Sequence, residues 1–466
     1  METDKKIQIA ALFAFGKLGI EPSALTGSVK VPQSKSAAHR ALIMAFLAGD
    51  VSLAKIDEQH ISDDITATKK ALIRISEAMA LSGDEGDLID GKARLNGDSE
   101  PVVIDCKESG STLRFLIPLV AVLGVHTRFI GSGRLPKRPI REYEQVFAGS
   151  GAQMIYLDQT GLSLPLEIRG KMKAGTYGLP GNVSSQYISG LLMALSAADG
   201  TSKITLTTEL ESRPYVDMTR EVMREFGVDV AQDANGFYLS GRQKPSRNIP
   251  YEVEADYSQA AFWLVANYLG SSIVLTNLPK KTSQGDRAIE SLLSGLMQAG
   301  KQSDENGSKV TFEMDARDVP DLVPVFSVAA AATNCRTRIV HAERLRIKES
   351  DRIASTAAML TALGANVEIT EDGLLIEGGI GKHSDEITGN GVLLNREYPA
   401  LDGKCFTGGT VDSCKDHRLA MAAAIAATKA GGPVWIEYPG AVEKSYPSFF
   451  EEYLSLGGKI YGINVG

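Results

Sequence analysis

Six stretches of this chain read as buried helices, and they constrain its fold more than anything else in it. They begin near Ser36, Ser111, Ser185, Tyr257, Asp321 and His417. Each is apolar on most of its sides, as in Ala41-Leu-Ile-Met-Ala-Phe-Leu or Val323 to Ala332. A helix without a polar face has to be wrapped by other structure. The starts are about 64 to 96 residues apart, three of the intervals being near 74. Between them run amphipathic helices ending at Gly151, Gly227, Gly300, Gly364 and Gly457, where glycine suits a left-handed cap, with Ile61 to Ile75 as a sixth. The pattern predicts six units, each with a buried helix, an exposed helix and short strands. This period is longer than that of common solenoids, so two compact domains of three units are expected rather than an open array.

The chain has 466 residues, 43% hydrophobic and 23% charged, which is ample for a core. Its net charge of -8 argues against nucleic acid and against an acidic membrane surface as partners. Cys106, Cys335, Cys405 and Cys414 form no CxxC pair, and the six histidines show no metal-ligand spacing. Free thiols in the cytoplasm and no metal are the expectation. The apolar run Ile7 to Gly16 is interrupted by Lys17 and followed by no Ala-x-Ala site, so residues 1 to about 17 read as an appended segment. No other stretch is suited to crossing a membrane.

Arg346-Ile-Lys-Glu-Ser-Asp-Arg352 packs three basic and two acidic residues into seven positions. Ser350 is expected to cap the helix that follows, with Asp351 in its first turn. Lys348, Glu349 and Arg352 then crowd a positive helix end, where anion binding and proton transfer can be combined. The buried helices open on similar chemistry: Ser34-Lys-Ser36, Gly110-Ser-Thr112, Ser184-Ser-Gln186, Pro320-Asp321 and Asp416-His-Arg418. A Ser or Asp in such a place is explained by capping alone. Capping does not call for Lys35, Arg40, Gln186 or Arg418 beside it, and helix ends converging with these cations fit phosphates. Two further basic pieces, Gly131 to Pro139 with Arg134, Lys137 and Arg138, and Glu443 to Pro447 with Lys444, are exposed loops or parts of the same site. No GxxxxGK[ST] loop occurs.

The run Val31-Pro-Gln-Ser-Lys-Ser-Ala-Ala-His-Arg40 resembles the N-terminal signature of the 5-enolpyruvylshikimate-3-phosphate synthase family. Glu108 to Arg114, Lys137 to Ile140, Ser184 to Gln186, Ser212 to Tyr215, Pro320-Asp321, Arg346 to Arg352, Asp416 to Arg418 and Lys444 continue the resemblance in order from about residue 18 to the end. It implies an α/β (α+β) enolpyruvyl transferase fold, a two-domain inside-out barrel in which each domain has three βαβαββ units. A top domain would join residues 1-33 to 254-466. A bottom domain would hold 34-253, with the active site in the cleft between them.

The implied reaction transfers the enolpyruvyl group of phosphoenolpyruvate to the 5-hydroxyl of shikimate 3-phosphate, releasing phosphate, on the route to chorismate and the aromatic amino acids. It needs no cofactor and no metal, and a monomer is expected. Carried over residue by residue, the resemblance assigns Ser36, Arg40, Ser184, Ser185, Ser212, Lys348 and Asp321 to shikimate 3-phosphate. Gly110, Arg138, Arg352, Arg418 and Lys444 go to phosphoenolpyruvate, Gly110 through its amide. Lys35 and Gln186 would touch both. Asp321 would be the base for the hydroxyl, and Glu349, helped by Lys35, would deliver and recover the methylene proton. Tyr215 is expected near the shikimate ring. His417 fits a structural role and a proton-transfer role equally.

This chain departs from the family pattern at Gln33, Glu108, Arg344 and Lys415. Glu108 sets a carboxylate close to Gly110, and Arg344 stands where a shikimate-phosphate contact is expected. The alternative is the related transferase acting on UDP-N-acetylglucosamine. That enzyme typically carries Lys-Asn in place of Lys35-Ser36 and a reactive Cys in a loop, and the stretch Val125 to Arg141 has none. An inactive phosphate-binding module would have lost some of Lys35, Asp321, Glu349 or Lys444, and all four are present.

Overall fold

All six apolar stretches form helices in a computed structural model that describes residues 16–81, 100–241, 243–379, 391–393, 396–398 and 403–462. They are Lys35–Leu47, Gly110–Leu123, Ser185–Leu195, Tyr257–Tyr268, Val323–Ala332 and His417–Ala427. In the last three every residue is buried, as a helix without a polar face requires. Side chains cap five of the six: Ser34, Ser109, Ser184, Asp256 and Asp416 each accept an N–H of the first turn. The exception, Val323–Ala332, is entered through a tight turn at Pro320–Leu322.

The amphipathic helices are Asp63–Leu81, Glu142–Phe147, Arg213–Glu225, Ile289–Asn306, Arg352–Ala362 and Phe449–Ser455. Gly227, Gly364 and Gly457 follow three of them in the left-handed region, with φ of 75, 85 and 90°. Gly300 does not end its helix. The inward stripe Ile289, Leu293, Leu296 and Met297 continues through Gly300 to Ser303, and the turn comes at Gly307 with φ 64°. Burying that stripe outweighs the cost of about 1 kcal/mol for a helical glycine. The helix before Gly151 stops earlier, at Phe147, and Asp63–Leu81 runs on past Ile75.

Four sheets of four strands share one plan. In each, a first strand pairs parallel with a second across a buried helix, and two antiparallel strands, joined as a hairpin in three of the sheets, complete the order first, second, fourth, third. The first strands of three sheets are Val102–Asp105, Thr176–Leu179 and Thr311–Asp315. The remaining sheet starts at Gly409–Asp412 and takes its final strand from the other end of the chain. Lys17–Glu21 pairs antiparallel with both Val434–Glu437 and Lys459–Gly462. Lys17 is therefore part of the fold and not of an appended segment; residues 1–15 of that segment lie outside the described residues. Two shorter parallel pairs, Thr26–Val29 with Ser272–Leu275 and Ala54–Lys55 with Tyr251–Glu252, begin the other two repeats.

The chain divides into two compact units, Met1–Pro32 with Ala255–Gly466, and Gln33–Glu254. Each has its own core, made chiefly by its three buried helices. The first strands hand over to the buried helices by a repeated device. Asp105, Asp315 and Asp412 each accept the N–H two residues on, from Lys107, Arg317 and Cys414, at 2.8, 2.9 and 2.7 Å. His341 and Tyr438, directly after their second strands, and Ser212, directly before the helix Arg213–Glu225, have φ of 52 to 54°. Non-glycine residues there cost on the order of 1 kcal/mol each and are held only where the surroundings demand them.

Candidate active site

In the unit that contains the C-terminus, Arg352 is the hub. It is the first residue of its helix and 1% exposed. Its Nε donates to Asp416 Oδ2 at 2.8 Å, its Nη1 to Asp321 Oδ1 at 2.8 Å and its Nη2 to Glu349 Oε2 at 2.7 Å. Asp321 is gripped from a second side, for Arg418 Nη2 donates to its Oδ2 at 2.9 Å and Nη1 to its carbonyl at 3.1 Å. Lys348 Nζ stands 3.8 Å from Asp321 Oδ1. Lys444 Nζ donates to the Lys415 carbonyl at 2.8 Å. Arg344 turns to the Arg317 carbonyl at 2.6 Å.

Ser350 is not the cap expected of it. Asp351 caps the helix, accepting from the Ala354 N–H at 3.1 Å, and the Ser350 hydroxyl donates to Asp416 Oδ2 at 3.0 Å. Asp416 also accepts from the Arg418 N–H at 2.9 Å, so one buried carboxylate caps a helix, holds Ser350 and orients Arg352. Sequence reasoning saw only the capping role. His417 is 2% exposed, with Nδ1 3.9 Å from Asp416 Oδ1, beyond hydrogen-bond reach.

Burial alone would raise the Asp321 pKa, but Arg418, Lys348 and Arg352 outweigh it and hold the carboxyl well below the ordinary range. A second carboxyl in the cluster moves the other way. Asp286 is 3% exposed and accepts the Ser258 hydroxyl. Burial and then the nearby Asp321 charge push it up to about 7, against the pull of Arg418 and Ser258. Neighbouring carboxyls driven apart in this way can divide the roles of proton donor and acceptor. Asp286 was not anticipated: it lies in the turn Gly285–Ala288 before an amphipathic helix, and only the tertiary contact with Ser258 brings it to the opening of a buried one.

The unit Gln33–Glu254 gathers the other expected residues around its three helix openings. Lys35 Nζ pairs with Asp64 Oδ2 at 2.8 Å. Arg40, 2% exposed, donates to Thr219 Oγ1, to the Ser36 carbonyl, to the Tyr215 carbonyl and to Ser189 Oγ at 2.6, 2.6, 3.0 and 3.3 Å. Burial lowers its pKa to about 10. Gly110 opens its helix under two guanidinium groups. A Cβ there would come within 2.7 Å of Arg138 Nη1 and 2.8 Å of Arg114 Nη1, so a larger residue would have to push these guanidinium groups aside. Glu108 directs its carboxylate against Gly133 of the basic loop. Ser184 caps its helix, Ser185 is buried beside it, and Ser212 holds its left-handed turn. Gln186 accepts from Arg114 Nη1 and donates to Ser111 Oγ, both at 2.9 Å.

Both clusters can hold anions, and the first can also move protons. The family model for EPSP synthase (3-phosphoshikimate 1-carboxyvinyltransferase) matches residues 20–453. A 3-phosphoshikimate 1-carboxyvinyltransferase of Clostridium acetobutylicum is 38% identical over 451 residues, covering 96% of this chain and 99% of the relative. The Clostridium kluyveri enzyme of that name is 40% identical over 455 residues, at 96% and 99% coverage. Among solved structures, EPSP synthase from Acinetobacter baumannii superposes with a TM-score of 0.66 at 25% identity, covering 96% of this chain and 99% of that one. The enolpyruvyl transferase NikO of Streptomyces tendae, at 16% identity and TM-score 0.60 over 96% of this chain and 98% of its own, shares the fold.

Proposed function

The chain belongs to the EPSP synthase (3-phosphoshikimate 1-carboxyvinyltransferase) family, and from that premise we infer how its own residues divide the reaction. It transfers the enolpyruvyl group of phosphoenolpyruvate to the 5-hydroxyl of shikimate 3-phosphate and releases phosphate. The nucleotide-sugar alternative belongs to a related but distinct family. The match across nearly the whole chain carries the choice between them.

Phosphoenolpyruvate is a poor electrophile until its methylene carbon takes a proton, and the attacking hydroxyl has to lose one. We assign the first transfer to Glu349, with Lys35 assisting. The hydroxyl oxygen then bonds to C2 while Asp321 accepts its proton, giving a tetrahedral ketal phosphate. In the second half Glu349 takes a proton back from the new methyl group, the C–O bond to phosphate breaks, and phosphate leaves with the proton that Asp321 took from the hydroxyl. Arg352 and Arg418 are assigned to phosphoenolpyruvate together with Gly110, Arg138, Lys444, Lys35 and Gln186. The grip of these two arginines on Asp321 supports a coupling: a substrate anion drawing off the guanidinium groups raises the basicity of Asp321 as the hydroxyl arrives. Lys348, Ser36, Ser184, Ser185 and Ser212 anchor shikimate 3-phosphate. Arg40, with its donors on protein acceptors, serves that subsite by fixing the Ser36 and Tyr215 backbone.

Phosphate release measured with both substrates, and with each omitted in turn, tests the reading. Release is expected only with the pair. Release with UDP-N-acetylglucosamine in place of shikimate 3-phosphate would overturn it.

A further inference from the structure

Arg114 carries none of the roles above, yet its surroundings are unusually determined. The helix Gly110–Leu123 contains Pro118, which has no N–H to donate to the carbonyl of Arg114 four residues back. Tyr143 Oη donates to that carbonyl instead, at 2.7 Å. The neighbouring helix approaches the same carbonyl so closely that a Cβ on Gly190 would lie 2.5 Å from it. The Arg114 backbone is therefore pinned. Its side chain is pinned as well: it is 3% exposed, its guanidinium carbon stands 5.2 Å from the Tyr187 ring centroid, and Nη2 donates to the Pro139 carbonyl at 2.8 Å.

Nη1 of this fixed group meets Gln186 Oε1 at 2.9 Å. A guanidinium offers donors only, so the Gln186 amide has to turn its oxygen toward Arg114. Its Nε2 then faces the helix openings, where one hydrogen goes to Ser111 Oγ at 2.9 Å and the other is left for a ligand. Carboxylates and phosphates only accept hydrogen bonds. With the amide reversed, Gln186 would present an oxygen to them and repel them. We propose that Arg114 is a positioning residue that locks the Gln186 amide with its donor face toward the anionic substrate. The proposal rests on the assignment of Gln186 to the substrates.

A double-mutant cycle separates the two ideas. KM for phosphoenolpyruvate, at saturating shikimate 3-phosphate, is measured for Gln186→Ala, Arg114→Met and the pair. Gln186→Ala is expected to raise KM about tenfold, the order of one hydrogen bond to a charged group, with kcat within about threefold of wild type. Arg114→Met is expected to raise KM by a similar factor, and the double variant by no more than either alone. Arg114→Lys recovers part of the loss, because one ammonium can reach Gln186 but cannot also bridge to Pro139 in the same plane. Multiplying effects in the double variant, or an unchanged KM in Arg114→Met, would show that Arg114 does not act through Gln186. Wild-type turnover together with an unchanged Gln186→Ala refutes the Gln186 assignment itself, and an inert wild type refutes the enzyme reading. If Arg114→Met does not fold, the cycle is run with Arg114→Lys, whose smaller effect should vanish in the Gln186→Ala background; persistence there counts against the proposal.

Discussion

The two units surround their buried cations differently. Around Arg352 and Arg418 stand carboxylates: Asp321, Glu349 and Asp416 in direct contact, with Asp286 close behind. Around Arg40 and Arg114 stand carbonyls, hydroxyls and an amide. Charged partners shift one another's pKa values, and an arriving anion can redistribute them. Neutral partners fix a cation's position and leave its charge uncompensated. On this comparison the first cluster suits proton transfer and the second suits holding a substrate still.

The comparison breaks first in kinetics. Glu349→Gln and Asp321→Ala are expected to fold and to lose turnover by roughly two to four powers of ten, the range for losing acid–base help. Near-full activity in either, measured by phosphate release, withdraws that role. Stability offers the next contrast. Arg352→Met takes one cation away from three carboxylates and is expected to cost about 3 to 5 kcal/mol in denaturant unfolding. Arg40→Met strands only neutral acceptors and should cost about 1 to 3 kcal/mol. Equal losses would erase the distinction. Arg418→Ala should raise KM for phosphoenolpyruvate about tenfold or more while that for shikimate 3-phosphate moves little. An unchanged KM for phosphoenolpyruvate counts against its role.

The smallest effect concerns pH. The folded protein holds the Asp286 proton up to about pH 7, whereas an unfolded Asp releases it near 4. Between these values the folded state binds more protons, so Asp286 makes stability fall as pH rises, by on the order of 1 kcal/mol per pH unit at most. The groups acting on it are Asp256 and Ser258 on the adjoining helix, and Asp321 and Arg418. Asp321, with its depressed pKa, acts in the opposite sense and loses its contribution only as pH falls below about 4. Asp286→Asn should therefore flatten the decline between pH 5 and 7 relative to wild type. Parallel curves would remove Asp286 from the coupled cluster.

Much of the fold was legible because burial writes itself locally. An all-apolar run such as Val323–Ala332 has one comfortable environment, and its place could be read without knowing its neighbours. The final strand of the last sheet could not be read. Lys17 pairs with Glu437 across more than 400 residues, and nothing near Lys17 reports that partner. Gly300 misled because a local stop signal competed with a buried stripe that continues past it. At the site, charged residues at helix openings were visible as types but not as pairs. Asp416 looked like a cap and is one, while its grip on Arg352, 64 residues away, is tertiary. Gln186 was anticipated, but Arg114, which orients it from 72 residues away, was not.

The division of labour between the clusters is tested most directly by single-turnover kinetics at saturating levels of both substrates, comparing Glu349→Gln with Gln186→Ala. The chemical step is expected to slow at least a hundredfold in the first and to stay within about threefold of wild type in the second. A slow chemical step in Gln186→Ala with a normal one in Glu349→Gln would contradict that division.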